Sequence, residues 1–246
     1  MQPDSTDQLV VALRNAANVL VERRSIRDLE QTLHEIVTAA VETVPGADAG
    51  GVSMTEDGHV SSRVPTSDTI RKLDDLQGEL GEGPCISAVL DPPVDGVVSA
   101  PDLSAPPASD QWPDFAPRAI SHGYRSMLST QLSTDGGVRA ALNLYSHQPY
   151  AFDVDSRTLA GLFGVQAALL LYGVDHAAHM EKALGTRDLI GQAKGILMER
   201  FDVDDDRAFQ LLVRSSQDTN VKLTEVARWL TSPDGRRKTS RPGSSG

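Results

Sequence analysis

The sequence predicts an α+β domain, an antiparallel sheet flanked by helices, followed by a small all-α unit of three helices. Two observations predict it. Over residues 27–174 the apolar pattern reads helix, two strands, short helices among loops, further strands, then a long helix; that order belongs to an antiparallel sheet with segregated helices. From Thr186 to Leu230 three short helical patterns follow one another, separated by polar breaks. The boundaries are an N-terminal helix over 1–26, the α+β domain over 27–174, the three-helix unit over 175–232 and a disordered tail over 233–246.

Each element has its own signal. Leu9, Leu13, Ala16, Ala17 and Leu20 recur at helical spacing between Gln8 and Arg24. Ser25 with Asp28 reads as an N-cap and a first-turn acid. The helix that follows should expose Arg27 and Glu30, bury Leu29, Leu33, Ile36, Val37 and Ala40, and stop at Pro45-Gly46. Ala47–Thr55 and His59–Val64 read as strands about a Glu56-Asp57-Gly58 turn. Ser67–Leu76 is amphipathic through Ile70, Leu73 and Leu76. Gly78–Pro84 reads as a Gly-rich loop, Cys85–Leu90 as a short helix opened by Pro84, and Val94–Ser99 as a strand. Residues 100–113 read as a surface loop, Phe115–His122 as a helix. Tyr124–Ser133 and Val138–His147 read as strands joined by Asp135-Gly136-Gly137. Between Asp155 and Arg200 isolated glycines are the only breakers, so one nearly continuous helix is expected. Such a length without caps suggests pairing with another helix, and a homodimer through 155–200 is expected.

In the three-helix stretch, Leu184, Ile190, Ala193, Leu197 and Phe201 form the first apolar stripe. Asp202–Asp206 break it and offer capping oxygens. Ala208, Leu211, Leu212 and Ser215 share the second face. After a polar turn over Gln217–Asn220, Leu223, Val226, Ala227 and Leu230 follow at i, i+3, i+4 and i+7.

The chain is globular in composition, 39% hydrophobic and 23% charged, with net charge −11. The acidic load is uneven: residues 1–177 carry a net −13 and residues 178–246 a net +2. An acidic chain argues against nucleic acid, whose phosphates need Lys and Arg, but that objection falls on the first part only. One cysteine, Cys85, rules out an intramolecular disulfide and fits the cytoplasm. No apolar run approaches the roughly 20 residues that span a bilayer, and no secretory signal pattern opens the chain; no membrane association is expected.

The run Ile190-Gly-Gln-Ala-Lys-Gly-Ile-Leu-Met-Glu-Arg200 is followed by Ala208-Phe209, Leu211-Leu212 and Arg214-Ser215-Ser216, then by Asn220-Val-Lys-Leu223 and Val226-Ala227. Together these resemble an ANTAR domain, the RNA-binding output module of bacterial transcription antiterminators. The resemblance implies binding to paired RNA hairpins in nascent transcripts. Upstream, Val44-Pro-Gly-Ala-Asp48, Gly51-Val-Ser53, Gly81-Glu-Gly-Pro-Cys85, Trp112-Pro-Asp-Phe115, Gly137-Val-Arg-Ala-Ala-Leu-Asn-Leu-Tyr145 and Ala151-Phe152 resemble a GAF domain of an actinobacterial variety. That implies a sensory module, with an unknown small molecule as its ligand.

Candidate RNA-binding residues are Lys194, Arg200, Arg214 and Lys222 for phosphates or bases, and Ser216 and Asn220 for the edges of unpaired bases, where RNA sequence is legible. The alternative reading ties Lys194 and Arg200 to Glu199 or the Asp202–Asp206 run and makes Asn220 the cap of the third helix. Trp229 could stack on a base, though an apolar helix-end contact fits as well. Gly191 and Gly195, four apart, suggest close approach of another helix or of RNA, a packing requirement fitting better than RNA contact.

Cys85 is a candidate redox or pocket residue, since a thiol near a helix N-terminus is acidified; a lone Cys is more often a small buried hydrophobe. The Gly78–Cys85 stretch lacks the Lys of a phosphate loop, and Glu79 and Glu82 would repel phosphate. Some GAF domains reduce methionine sulfoxide, but with several cysteines. Of the six His, only His176 and His179 stand at a spacing one helix face could use, and a solvated face explains them. No catalytic group, metal site or cofactor is therefore expected. The reading is a signal-responsive antitermination regulator. The alternative is a regulator whose three-helix unit binds a polymerase or sensor-kinase partner without RNA.

Overall fold

A computed structural model describes residues 26–56, 59–132 and 139–233. The helix expected over Gln8–Arg24, the cap at Ser25, the turn residues Asp57-Gly58 and Asp135-Gly136-Gly137, and the tail from 234 onward lie outside the described residues, as do the side chains of Arg27 and Asp28. The chain divides after Asp175 into two compact units.

In the first unit the elements run α1 (Ile26–Thr43), β1 (Ala49–Glu56), β2 (His59–Arg63), α2 (Asp68–Leu80), α3 (Pro84–Leu90), β3 (Val97–Ala100), α4 (Ala108–Gln111), α5 (Phe115–Ser121), β4 (Ser126–Gln131), β5 (Arg139–Ser146) and the start of α6 (Val154–Phe201). The five strands form one antiparallel sheet, as the sequence predicts, and their order is β2-β1-β5-β4-β3. The three central strands β1, β5 and β4 are buried on both faces, so helices cover the sheet on both sides. One face carries Val52, Met54, Leu128, Ala140, Leu142 and Leu144 against Leu33, Ile36, Val37 and Ala40 of α1 and Ala160, Phe163, Ala167 and Leu171 of α6. The opposite face carries Ala49, Met127 and Tyr145 against Ile70, Leu73, Trp112, Phe115 and Ala119 of α2 to α5. The result is a three-layer sandwich.

Three local expectations are corrected. Gly78 does not begin a loop: α2 runs on to Leu80 and ends at Gly81, whose φ of 66° is the left-handed C-cap that glycine permits. Leu76 is only partly buried, because the buried face of α2 is centred on Ile70, Leu73, Asp74 and Gln77. Residues 100–113 are not simply a surface loop: Leu103, Ala108 and Trp112 are buried, α4 lies among them, and the Trp112 Nε1–H donates to Ser87 Oγ at 3.2 Å.

The second unit packs the end of α6 with α7 (Asp205–Thr219) and α8 (Leu223–Thr231) around Ala193, Leu197, Ala208, Leu212, Ala227 and Leu230. Asp204 caps α7, its Oδ1 accepting the Arg207 N–H at 2.8 Å. Leu184 and Phe201, expected in the apolar stripe, are 58% and 57% exposed; they lie beyond the ends of the face that α7 and α8 cover. Within the described residues of this chain nothing packs on Gly191 or Gly195: a Cβ on either would meet nothing within 4 Å.

By length and composition α6 could cross a membrane, with an 18-residue window of mean hydropathy 1.4. In the first unit, the stripe through Ala160, Phe163, Ala167 and Leu171 is core packing on the sheet, which accounts for part of that apolarity; 28% of the window is buried.

Candidate functional site

The first unit holds a buried polar cluster that the sequence reading missed. Asp74 lies on the inward face of α2, one turn beyond Ile70, and is fully buried. Its Oδ1 accepts the Tyr145 hydroxyl at 2.6 Å and the Asn143 amide at 2.9 Å, and its Oδ2 accepts the Ser62 hydroxyl at 3.0 Å. The Asn143 amide also donates to Ser53 Oγ, and its Oδ1 accepts from Ser129. One turn further on, the Gln77 amide donates to the Tyr145 oxygen at 3.1 Å, and Gln77 Oε1 accepts the Cys85 N–H at 3.0 Å. The carboxylate thus receives neutral donors only. Burial outweighs those donors and pushes the Asp74 carboxyl up to about 6, with the charge of Asp75 adding to the rise. Burial, and next the charge of Asp74, raise the Tyr145 hydroxyl well above its ordinary value.

The local sequence makes this cluster possible. Gly51 lies under Asp74, where a Cβ would sit 2.6 Å from Asp74 Oδ2. Gly83, at φ 126°, leaves room for the Gln77 side chain. Glu82, between Gly81 and Gly83, is engaged within the chain: its Oε2 accepts the N–H groups of Asp114 and Phe115 at the start of α5, at 3.0 and 3.3 Å. The Gly81–Cys85 segment is therefore a structural junction joining α2, α3 and α5. The detectable signal was the 70/73/74/77 spacing, which puts two polar residues on the apolar face of an amphipathic helix.

Cys85 is buried beside Ala88 and Ala141. Burial first, and then the charge of Asp74, raise its thiol pKa, so the group stays protonated. Outside this interior, a groove of about 460 Å³ opens between α2 and α5, lined by Lys72, Leu73, Leu76, Glu79, Arg118 and His122. Among the described residues, no group of three or more His, Cys, Asp or Glu is placed to hold a metal ion.

In the second unit the six sequence-predicted residues are not equivalent. The Lys194 ammonium lies 2.5 and 2.6 Å from the two Asp205 carboxylate oxygens and 6.0 Å from the centre of the Phe209 ring. The Ser216 hydroxyl donates to the Val221 carbonyl at 2.6 Å, across the α7–α8 turn. Asn220 does not cap α8; it is the left-handed C-cap of α7, at φ 52°, and its N–H bonds back to Ser216 and Gln217 carbonyls. Arg214 is exposed, with Asp218 at 3.8 Å. Lys222 is exposed at the N-cap of α8, and Arg200 is half-buried at the end of α6. Trp229 and Phe209 are 48% and 42% exposed. The structure therefore gathers Lys194 with α7, and Ser216, Asn220 and Lys222 at one corner, with Arg214 on the outer face of α7.

A family model described as an ANTAR domain matches residues 178–230, and one described as a GAF domain matches residues 26–171. No protein of curated function matches the chain. Among solved structures, a free methionine-R-sulfoxide reductase from Neisseria meningitidis in complex with its substrate is similar at 17% identity and TM-score 0.53, over 72% of this chain and 96% of that one. The GAF domain of a phosphoenolpyruvate-protein phosphotransferase from Coxiella burnetii is similar at 17% identity and TM-score 0.50, over 74% and 99%. A bacteriophytochrome from R. palustris is similar at 11% identity and TM-score 0.54, over 80% of this chain and 43% of that one. At these identities the likeness is one of fold.

Proposed function

Since the chain belongs to the GAF family and carries an ANTAR domain behind its GAF domain, we propose that it is a signal-responsive antitermination regulator that binds paired hairpins in nascent RNA. The carrying observation is the match of an RNA-binding antitermination family to the stretch that folds as the three-helix unit. Arg214 and Lys222 are its exposed candidate cations. The chain is read as a cytoplasmic regulator without catalytic activity of its own.

The GAF domain takes the input, an unidentified small molecule. Its interior holds the Asp74 cluster, and the groove between α2 and α5 is an accessible concavity among the described residues of this unit. Output works through pairing of α6 with a second copy. Val165, Leu169 and Tyr172 stand exposed at i, i+4 and i+7 in the first unit, and Met180 and Leu184 at i and i+4 in the second. The signal acts only as far as it binds one arrangement of the helix pair more tightly than the other.

One observation favours a protein partner instead. Lys194, Ser216 and Asn220 all make contacts within the chain, while Phe201, Phe209 and Trp229 are exposed. The deciding experiment titrates the full chain with a two-hairpin RNA from its own operon leader and with a loop-scrambled control, at two salt concentrations. Loop-dependent binding supports the RNA reading. Equal weak binding to both RNAs, lost at high salt, is nonspecific attraction and puts the protein-partner reading first.

A further inference from the structure

We propose that Lys194 serves the RNA interface as a positioning residue, latching the first two turns of α7 to α6 through Asp205 and Phe209, and does not neutralise a phosphate. This rests on the RNA-binding reading. A phosphate-binding lysine holds its ammonium in solvent on a flexible stem. Here the Lys194 side chain is 21% exposed, and the ammonium lies within 2.6 Å of both Asp205 oxygens. Phe209 is one helical turn beyond Asp205 and lies under the same ammonium. One group thus fixes two successive turns of α7.

The latch is placed to matter. Asp204, Asp205 and Asp206 crowd the N-terminus of α7, where the helix favours acids. A phosphate approaching Lys194 would have to displace Asp205 and pass its two acidic neighbours. The contact that Lys194 supports is the half-exposed Phe209 ring, a surface on which an unpaired base can stack.

The test compares Lys194→Ala, Asp205→Asn and the exchanged pair Lys194→Asp with Asp205→Lys in the full chain. The readouts are hairpin affinity, the slope of log affinity against log salt, and thermal melting. A latch predicts that Lys194→Ala and Asp205→Asn each weaken binding about tenfold, a typical coupling for a paired group, with the salt slope unchanged. It also predicts that the exchanged pair recovers part of the affinity, the part due to the ion pair, because a carboxylate at position 194 cannot hold the Phe209 ring. A phosphate contact predicts the opposite. Lys194→Ala would then lower the slope by roughly one unit, Asp205→Asn would strengthen binding by freeing the ammonium, and the exchanged pair would be the weakest binder. Either a lowered slope in Lys194→Ala or tighter binding by Asp205→Asn overturns the latch, even if the exchanged pair fails to fold. Wild-type protein that binds scrambled loops equally well overturns the RNA reading itself, a different result from any of these.

Discussion

Replacing Asp74 with Asn should stabilise the first unit, and by an amount that grows with pH. The carboxyl rises from 3.8 to about 6 on folding, so the folded state holds its proton more tightly than the unfolded one. Between those values folding takes up a proton, and wild-type stability falls as pH rises through the window. That rise is worth about 3 kcal/mol, at ~1.36 kcal/mol for each tenfold change in proton affinity, since the group is fully buried. Asn preserves the shape: its oxygen can still accept from Tyr145 and Asn143, and its amide can donate to Ser62 Oγ, which turns to accept. The Asn variant should therefore gain about 1.6 kcal/mol over wild type at pH 5 and about 3 kcal/mol above pH 7. Taking the difference between the two proteins removes the carboxyls whose pKa values are lowered, Asp95, Asp102 and Asp153, because they titrate alike in both. Urea unfolding would be followed by the fluorescence of buried Trp112 in a Trp229→Phe background, so that the signal reports the first unit. A difference that stays constant from pH 5 to pH 8 would refute the reasoning, because it would mean that Asp74 titrates alike in both states.

Further outcomes are expected elsewhere. Gly51→Ala should destabilise by about 1–3 kcal/mol, because its Cβ would press on Asp74 Oδ2; chemical denaturation measures it. Glu82→Ala should lose about 1 kcal/mol, since the first N–H groups of α5 lose their acceptor. Cys85 should resist thiol reagents in the native protein and react when urea opens the first unit, as the burial of the thiol requires. Gly191→Ala and Gly195→Ala should each raise helix stability by about 0.8–1.0 kcal/mol, because nothing lies near either Cβ position. A simultaneous loss of dimer or RNA affinity would show that the bare backbone is needed by a partner.

Periodicity made most elements legible before the structure. The α1 stripe through Leu33, Ile36, Val37 and Ala40 is buried as expected, because a single amphipathic face against a sheet leaves few alternatives. The core of the second unit was readable because each of its three helices carries one apolar face toward the others. What stayed hidden depends on contacts distant in sequence. Asp74 meets Asn143 and Tyr145 across some seventy residues; helical spacing puts it on the apolar face of α2, but no local pattern names the partners that receive it there. For Lys194 the sequence left two readings open, an RNA contact or a pair with Glu199 or the Asp202–Asp206 run, and the ion pair with Asp205 matches the second. The exposure of Leu184 and Phe201 was missed because helical spacing says which residues share a face, not how far the covering helices reach.

The sheet order has a consequence for motion. β5 is the central strand, paired with β1 on one side and β4 on the other, and both of its faces lie under helices. Its amides can meet solvent deuterium only when the sandwich opens as a whole, whereas β2 and β3 each leave one row of backbone groups at an edge. Exchange should therefore begin at the two rims and reach Leu142, Asn143 and Leu144 last. The strand that carries Asn143 and Tyr145 to the buried carboxyl is then also the slowest part of the first unit to open.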